Sequence, residues 1–418
     1  MYKGFPLPIE TPVPNSFTFD PSRLCGLEDP VPALQELQEE DPIHWSPRYG
    51  AWLITRYDDV RAGLADPRLS ARRLFPDPKT MDVDFARIYA DYRRYFDLWV
   101  VVRDPPDHTR LRGLTNKALT PTAIAALRPG IAAIVDTLLG AMPATGEIDL
   151  VPHFAYPLPA EVIAELIGVP RSTMDDLKRW SDGIASTSAA TGEDMIRRAA
   201  ADTVEMAAYL TDVVAQRRRN PGTSIIDRLI AAHEGEDRLS HDELVGNLIL
   251  FLFAGHETTT NLLSNGLRTL LRNPEQLADL RANLGDLALV RNTVEEILRY
   301  DGALFISLRV AVQDFDWHGR AVRAGDRVFL YHLAANRDPR AFPEPDRFDI
   351  RRADTGRHIA FGYGIHFCLG APLARLEMEI ALPALLARYP RMALAEQSVT
   401  WKDNLVLRGP RTLRLTLG

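Results

Sequence analysis

Cysteine is nearly absent: two residues in 418, Cys25 and Cys368, far apart in sequence, rule out a disulfide framework and fit a reducing compartment. Two cysteines without further cysteines or histidines at ligand spacing also exclude a structural zinc site. Positive charge is short as well. With 49 Lys and Arg against 56 Asp and Glu the formal charge is −7, the wrong sign for a protein whose main partner is nucleic acid. The one tight basic run, Arg217-Arg218-Arg219, precedes Asn220-Pro221, where cations at a helix end offset the helix dipole. No glycine loop of the phosphate-binding kind is present. Residues 1–30 read as an irregular arm, because Pro6, Pro8, Pro12 and Pro14 remove backbone donors and block helix. That arm lacks the apolar run of a signal peptide, and no membrane span is seen elsewhere, so a cytoplasmic protein without membrane contact is expected.

The rest is an ordinary globular composition, 46% hydrophobic and 25% charged. No internal repeat, low-complexity tract or linker divides it, so residues 1–418 are expected to form a single domain with ample chain to build a core around a large cofactor.

The pattern predicts a mixed start, with a helix over 32–40, a strand over 51–55 and a small helix over 58–64. Residues 82–100 are dense in aromatics, among them Phe85, Phe96 and Trp99, and read either as core or as a substrate-facing segment. Helix then dominates. Thr120-Pro121 supplies a cap and a first-turn proline, Pro159 and Ala160 open a helix that ends near Gly168, and residues 193–219 give another. Ser240 with Glu243 has capping-box spacing and opens a helical pattern that runs to Asn273-Pro274. Its centre, Leu248 to Phe253, is apolar on every face, which predicts burial through the middle of a large core. Strand patterns return over 307–312, 315–322 and 327–330. The fold class expected is mainly α with small β-sheets.

The strongest chemical signal is Phe361-Gly362-Tyr363-Gly364-Ile365-His366-Phe367-Cys368-Leu369-Gly370, just before a helical pattern over 373–389. Glycines let backbone N–H groups turn toward an anion, and a helix N-terminus adds positive partial charge, so the loop is suited to a sulfur anion at Cys368. In the long helix, Ala254-Gly255-His256-Glu257-Thr258-Thr259 places a carboxylate and hydroxyls in an apolar segment, where they are costly unless paired. A threonine there can bond back to the carbonyl four residues earlier and bend the helix. Glu296 and Arg299 lie three apart on one helical face, close enough to pair.

The cysteine segment fills every fixed position of F-G-x-G-x-H-x-C-x-G, and in this it resembles the haem-binding signature of the cytochrome P450 family. The resemblance extends from about Asp29 to the C-terminus. It implies haem b held between the long central helix and the cysteine-loop helix, with Cys368 on the iron, Phe361 packing against the loop, and Gly362, Gly364, His366 and Gly370 forming it. It implies that Ala254 and Gly255 lie over the haem and that Glu257 and Thr258 relay protons to bound oxygen. His108, Arg112, Arg309 and His358 would meet the haem carboxylates, Arg being the better bidentate partner. Glu296, Arg299 and Arg347 would form a charge-paired cluster bracing the cysteine loop. Gly302-Ala303 departs from the prolines often found there.

The activity so implied is insertion of one oxygen atom of O2 into a small hydrophobic substrate, by hydroxylation or epoxidation. Electrons would come from a separate ferredoxin and ferredoxin reductase, since the chain carries no flavin or iron–sulfur motif. Arg110, Lys117, Arg357 and Arg375 flank the proximal motifs and are candidates to steer an acidic donor. The pocket expected is apolar, drawn from Phe85, Phe96, Trp99, Phe251, Leu304, Phe305, Ile306 and Val406. A peroxide-driven or non-oxygen-activating haem-thiolate enzyme, and a haem sensor, are the alternatives; Glu257-Thr258 argues against both.

Overall fold

A computed structural model describes residues 19–20, 24, 26–72, 81–186, 193–222, 224–233 and 239–418. Most of the arm expected over residues 1–30, with Cys25, lies outside them. The chain opens with α1 (Val31–Glu40), β1 (Ile43–Ser46), β2 (Ala51–Ile54), α2 (Tyr57–Ala65) and β3 (Leu69–Ser70). Helices follow: α3 (Val83–Phe96), α4 (Asp107–Ala118), α5 (Pro121–Ala125) and α6 (Arg128–Ala141), then strand β4 (Gly146–Asp149). Next come α7 (Pro157–Ile167), α8 (Met174–Ser186), α9 (Glu193–Arg219), α10 (Ile225–His233), α11 (His241–Arg272), α12 (Pro274–Ala282) and α13 (Leu287–Asp301). The last part holds β5 (Ile306–Ala311), β6 (Phe315–Trp317), β7 (Arg320–Val322), β8 (Arg327–Tyr331), α14 (His332–Asn336), α15 (Ala371–Arg388), β9 (Ala393–Trp401) and β10 (Pro410–Leu417).

The architecture is mainly α with small sheets, as the sequence predicts. One sheet runs β1-β2-β8-β5-β3, a second β4-β10-β9, and β6-β7 is a hairpin. Long-range pairing of β2 with β8, in parallel, brings the two ends of the chain into one sheet. Local chemistry sets the helix limits. Asp82 accepts from Phe85 N–H at the start of α3, and Thr120 accepts from Ala123 N–H before α5. Gly168 closes α7 in the left-handed conformation, φ 89°. At α11 the capping box is complete, with Ser240 and Glu243 each bonding the other's backbone.

The α11 helix is the axis of the largest core cluster, to which α6, α7, α13 and α15 contribute Ile134, Ile163, Ile297 and Leu382 among others. The stretch Pro121–Ala141 has the length and hydropathy to cross a membrane, which the sequence reading did not single out. It is broken into α5 and α6, and α6 turns Ile131, Ile134, Val135 and Leu139 into the core.

His332, at the start of α14, is fully buried. Its Nδ1 donates to the Ile359 carbonyl and its Nε2 accepts from the Ser307 hydroxyl, both at 2.8 Å. Burial drives its pKa down to about 4. The neutral ring is therefore the folded-state form. The stability it contributes is complete above the unfolded value of about 6.5 and is lost progressively as pH falls toward 4, on the order of 3 kcal/mol at most. Calorimetric Tm between pH 7 and 4 is expected to fall, and less steeply in His332→Gln.

Candidate active site

The α11 helix is buried along most of its length, yet Phe251, Ala254, Gly255 and Thr258 keep accessible surface in its middle. Spacings of three, four and seven residues put them on one face, so the helix presents a stripe to an internal space. The Thr258 hydroxyl donates to the Ala254 carbonyl at 2.9 Å, and Thr259 to that of Gly255 at 3.4 Å. Gly255 has a second reason to be glycine. A Cβ there would stand 2.8 Å from Ile163 Cγ1, so its bare side lets α7 pack against α11 rather than meeting a cofactor.

Glu257 is buried and ion-paired: Lys402 Nζ lies 2.6 Å from its Oε1. The sequence demanded a partner for this carboxylate without saying which, because Lys402 is 145 residues away. His256 is buried too, with Nδ1 on the Leu252 carbonyl at 2.6 Å and its ring edge-on to Tyr156.

The cysteine loop turns on Gly362 and Gly364, at φ 77° and 74°, a region that glycine alone adopts without strain. At Gly364 a Cβ would also press on the Leu64 carbonyl and Ala65 Cα, each at 3.3 Å. The Cys368 N–H donates to the Phe361 carbonyl at 2.9 Å, closing the loop. Phe361 packs edge-on against Phe367, with the Arg375 guanidinium 4.7 Å from its ring centroid. Gly370 leaves room beside the sulfur, which a Cβ there would approach to 3.8 Å. Cys368 keeps an accessible face. Enough protein surrounds the sulfur, however, that burial pushes the thiol pKa up, against the opposing Gly370 and Ala371 N–H groups and the Arg112 and Arg375 charges. A metal bound to the sulfur would add its own charge in favour of the thiolate.

Three nitrogen-bearing side chains have no carboxylate hydrogen-bonded to them among the described residues. Arg309, on β5, is 8% exposed, and the hydrogen bond found for its guanidinium goes to the adjacent Leu308 carbonyl. Burial holds its pKa down to about 10 against the attraction of Asp104, which forms no hydrogen-bonded ion pair with it. Arg112, half-buried on α4, has its pKa lowered by burial and no ion-pair partner among the described residues. His108 Nε2 is buried without a partner, and its ring lies 4.3 Å from that of His366. Unpaired buried cations are costly, so this set fits a bound group carrying carboxylates. Together with a lone accessible cysteine among glycines, that is the donor chemistry of haem.

His358 departs from expectation. Its Nε2 pairs with Glu295 at 3.0 Å and its Nδ1 accepts from Ala360 N–H at 3.1 Å, so the ring has no nitrogen left for a haem carboxylate. Glu295 is shared with Arg375 and its pKa is held down to about 2 by these hydrogen bonds against the opposing effect of burial.

Arg347 also needs correction. The Glu296–Arg299 pair forms as expected, with both side chains fully buried and bonds of 2.7 and 2.8 Å. The third charge is Arg352, whose Nε lies 3.2 Å from Glu296 Oε1. Arg347 turns its side chain outward to Glu344 and contributes its carbonyl to Arg299 and Arg352. Arg299 also donates to the Asn336 carbonyl, and the Asn336 side chain accepts from Ile359 N–H, two residues before Phe361. By that route the cluster reaches the cysteine loop.

The expected pocket residues divide. Phe96 and Trp99 lie tilted against each other with centroids 4.5 Å apart, and Trp99 stacks at 5.9 Å on Phe253 of α11. Leu304, Val406 and Phe251 keep accessible surface. Phe85 packs with Tyr89 against Ile196, Ala199 and Ala200 of α9, in a cluster that Phe96 also joins. Phe305 and Ile306 are buried in a separate cluster with Leu53, Phe329 and Tyr331. Adjacent apolar residues at a strand entry point to opposite sides, and sequence alone does not say which side is the pocket. Of the four cations flanking the proximal motifs, Arg110 pairs with Glu243 and Arg375 with Glu295, while Lys117 and Arg357 are exposed.

The cytochrome P450 family model matches residues 191–417. The chain is 40% identical over 394 residues to the cytochrome P450 monooxygenase PikC of Streptomyces venezuelae, covering 92% of this chain and 90% of the relative. It is 38% identical over 381 residues to 6-deoxyerythronolide B hydroxylase of Saccharopolyspora erythraea, covering 90% and 92%. The solved structure of the bacillaene polyketide synthase cytochrome P450 PksS of Bacillus subtilis 168 superposes with a TM-score of 0.84 at 36% identity, covering 96% of this chain and all of that one. Likeness of this extent in both sequence and fold shows that the chain belongs to the cytochrome P450 family, as a haem-thiolate monooxygenase with haem b as its cofactor.

Proposed function

We propose that this enzyme inserts one oxygen atom into a polyketide-like or similarly hydrophobic small molecule, drawing electrons in the cytoplasm from a separate ferredoxin and ferredoxin reductase. A relative named for polyketide biosynthesis, PksS of Bacillus subtilis, supports the substrate class. In this reading residues 1–418 act as one domain. Cys368 is the iron ligand, and Arg309, Arg112 and His108 take the haem carboxylates. Haem held there supplies the iron at which dioxygen is reduced, with a thiolate that favours O–O cleavage.

The observation that carries the proposal is the pairing of an accessible Thr258 with a buried Glu257 on one turn of α11. Thr258 Oγ1 already donates to Ala254, so its lone pairs remain to accept a proton donor from the internal space. Glu257 is adjacent in sequence, and its carboxylate is the candidate relay to that space. Phe96, Trp99 and Phe253 form an aromatic wall, and Leu304 and Val406 an aliphatic one, which orient an apolar substrate and exclude water.

Thr258→Ala is expected to retain haem and substrate binding while product formed per reduced cofactor consumed falls by about tenfold to a hundredfold. Unchanged coupling in that variant would favour a peroxide-driven or non-oxygen-activating enzyme instead. The measurement is product against cofactor consumption under steady turnover.

A further inference from the structure

Glu257 has a partner that the oxygen-handling motif does not supply. Lys402 directly follows β9, and its Nζ lies 2.6 Å from Glu257 Oε1 and 3.0 Å from Asn261 Oδ1. Glu257 and Asn261 are four residues apart on α11, so the ammonium spans one helical turn. Asn261 is fully buried and sits under the hairpin, where a Cβ on Gly409 would come within 2.2 Å of its Cγ. Glycine at 409 is what lets the hairpin between β9 and β10 close onto α11 at this point. Lys402 retains 24% of its side-chain exposure and borders a surface pocket with Trp401, Asn404 and Arg408. The lysine therefore joins a buried carboxylate to a solvent-facing surface.

We infer that Lys402 is a positioning residue for Glu257, holding its carboxylate fixed on the turn that carries Thr258. The inference rests on the relay reading of Glu257 given above. Without the ammonium, a carboxylate buried in apolar surroundings has lost its counter-charge and its fixed direction, and proton delivery from it slows. The same loop carries Val406, whose carbonyl accepts from Phe305 N–H at 2.8 Å, so the anchor of the acid and one pocket wall are a single piece of backbone.

The test uses the haem-loaded enzyme with Lys402→Met, Lys402→Arg and Glu257→Gln, each first shown to hold haem and to give the parent carbon monoxide spectrum. Lys402→Met is expected to lower turnover about tenfold and to raise the solvent deuterium isotope effect, with the substrate-induced spectral shift saturating at the parent Kd. Lys402→Arg, which keeps the charge, returns turnover close to the parent value. Thermal unfolding gives a second readout: Lys402→Met lowers Tm by about 3 °C in the parent and by nothing further in Glu257→Gln. Parent turnover and isotope effect in Lys402→Met, alongside an impaired Glu257→Gln, would overturn the inference and leave the relay standing. A Lys402→Arg variant as slow as Lys402→Met, or additive Tm losses, would also overturn it. If Glu257→Gln itself matches the parent, the relay reading fails and the inference with it.

Discussion

Replacing Cys368 by Ser is expected to lower monooxygenase turnover by on the order of a thousandfold, about 4 kcal/mol of barrier. The loop should survive the exchange. Its shape is set by the left-handed Gly362 and Gly364 and by the bond from the residue 368 N–H to the Phe361 carbonyl, none of which involves the sulfur. Haem should still be retained in part if, as proposed, Arg309 on β5 and Arg112 and His108 on α4 take its carboxylates. What is lost is the electron donation of a thiolate to the iron. Haem content and turnover, measured on the same preparation, separate these effects. A variant that keeps parent turnover would show that the sulfur is not the ligand.

The second large effect is on stability. Arg299→Ala removes one side of a fully buried bidentate pair and leaves the Glu296 carboxylate without its main partner. Breaking such a pair from one side costs about 3–5 kcal/mol, comparable with the whole stability of many domains. The loss is compounded because Arg299 also donates to the carbonyls of Asn336, Pro345 and Arg347, whose acceptors would be stranded. The expected result is a chain that purifies poorly and without haem, since Asn336 also holds Ile359 just ahead of the cysteine loop. Arg347→Ala is expected to shift Tm by less than about 1 °C, as its side chain is exposed. Calorimetric unfolding of the two variants is the measurement. Similar losses in both would restore Arg347 to the cluster.

That contrast shows where sequence reading reached its limit. Elements bounded by local chemistry were legible: α11 begins at a capping box and ends at Asn273-Pro274, and α9 spans the expected 193–219. The cysteine loop was legible because Gly362 and Gly364 carry positive φ, a demand that survives in the sequence as residue type. Partner choice was not. Arg347 and Arg352 lie five residues apart in an irregular segment, where no period fixes side-chain direction, and only packing turned Arg352 inward. The same holds for Lys402 with Glu257, and for His358, drawn to Glu295 on α13. Gly302 was seen as a missing proline, yet a Cβ there would stand 2.6 Å from the Leu298 carbonyl, a close approach that sequence does not reveal. Phe85, Phe305 and Ile306 were assigned by proximity in sequence to pocket segments; all three are buried, Phe85 in the cluster that Phe96 joins and the other two in the one that Val406 joins.

Haem-thiolate ligation is tested most directly by the carbon monoxide difference spectrum of the reduced protein. The expected result is a strongly red-shifted Soret band that disappears in Cys368→Ser. A band at the position typical of histidine-ligated globins, unchanged by that substitution, would contradict it.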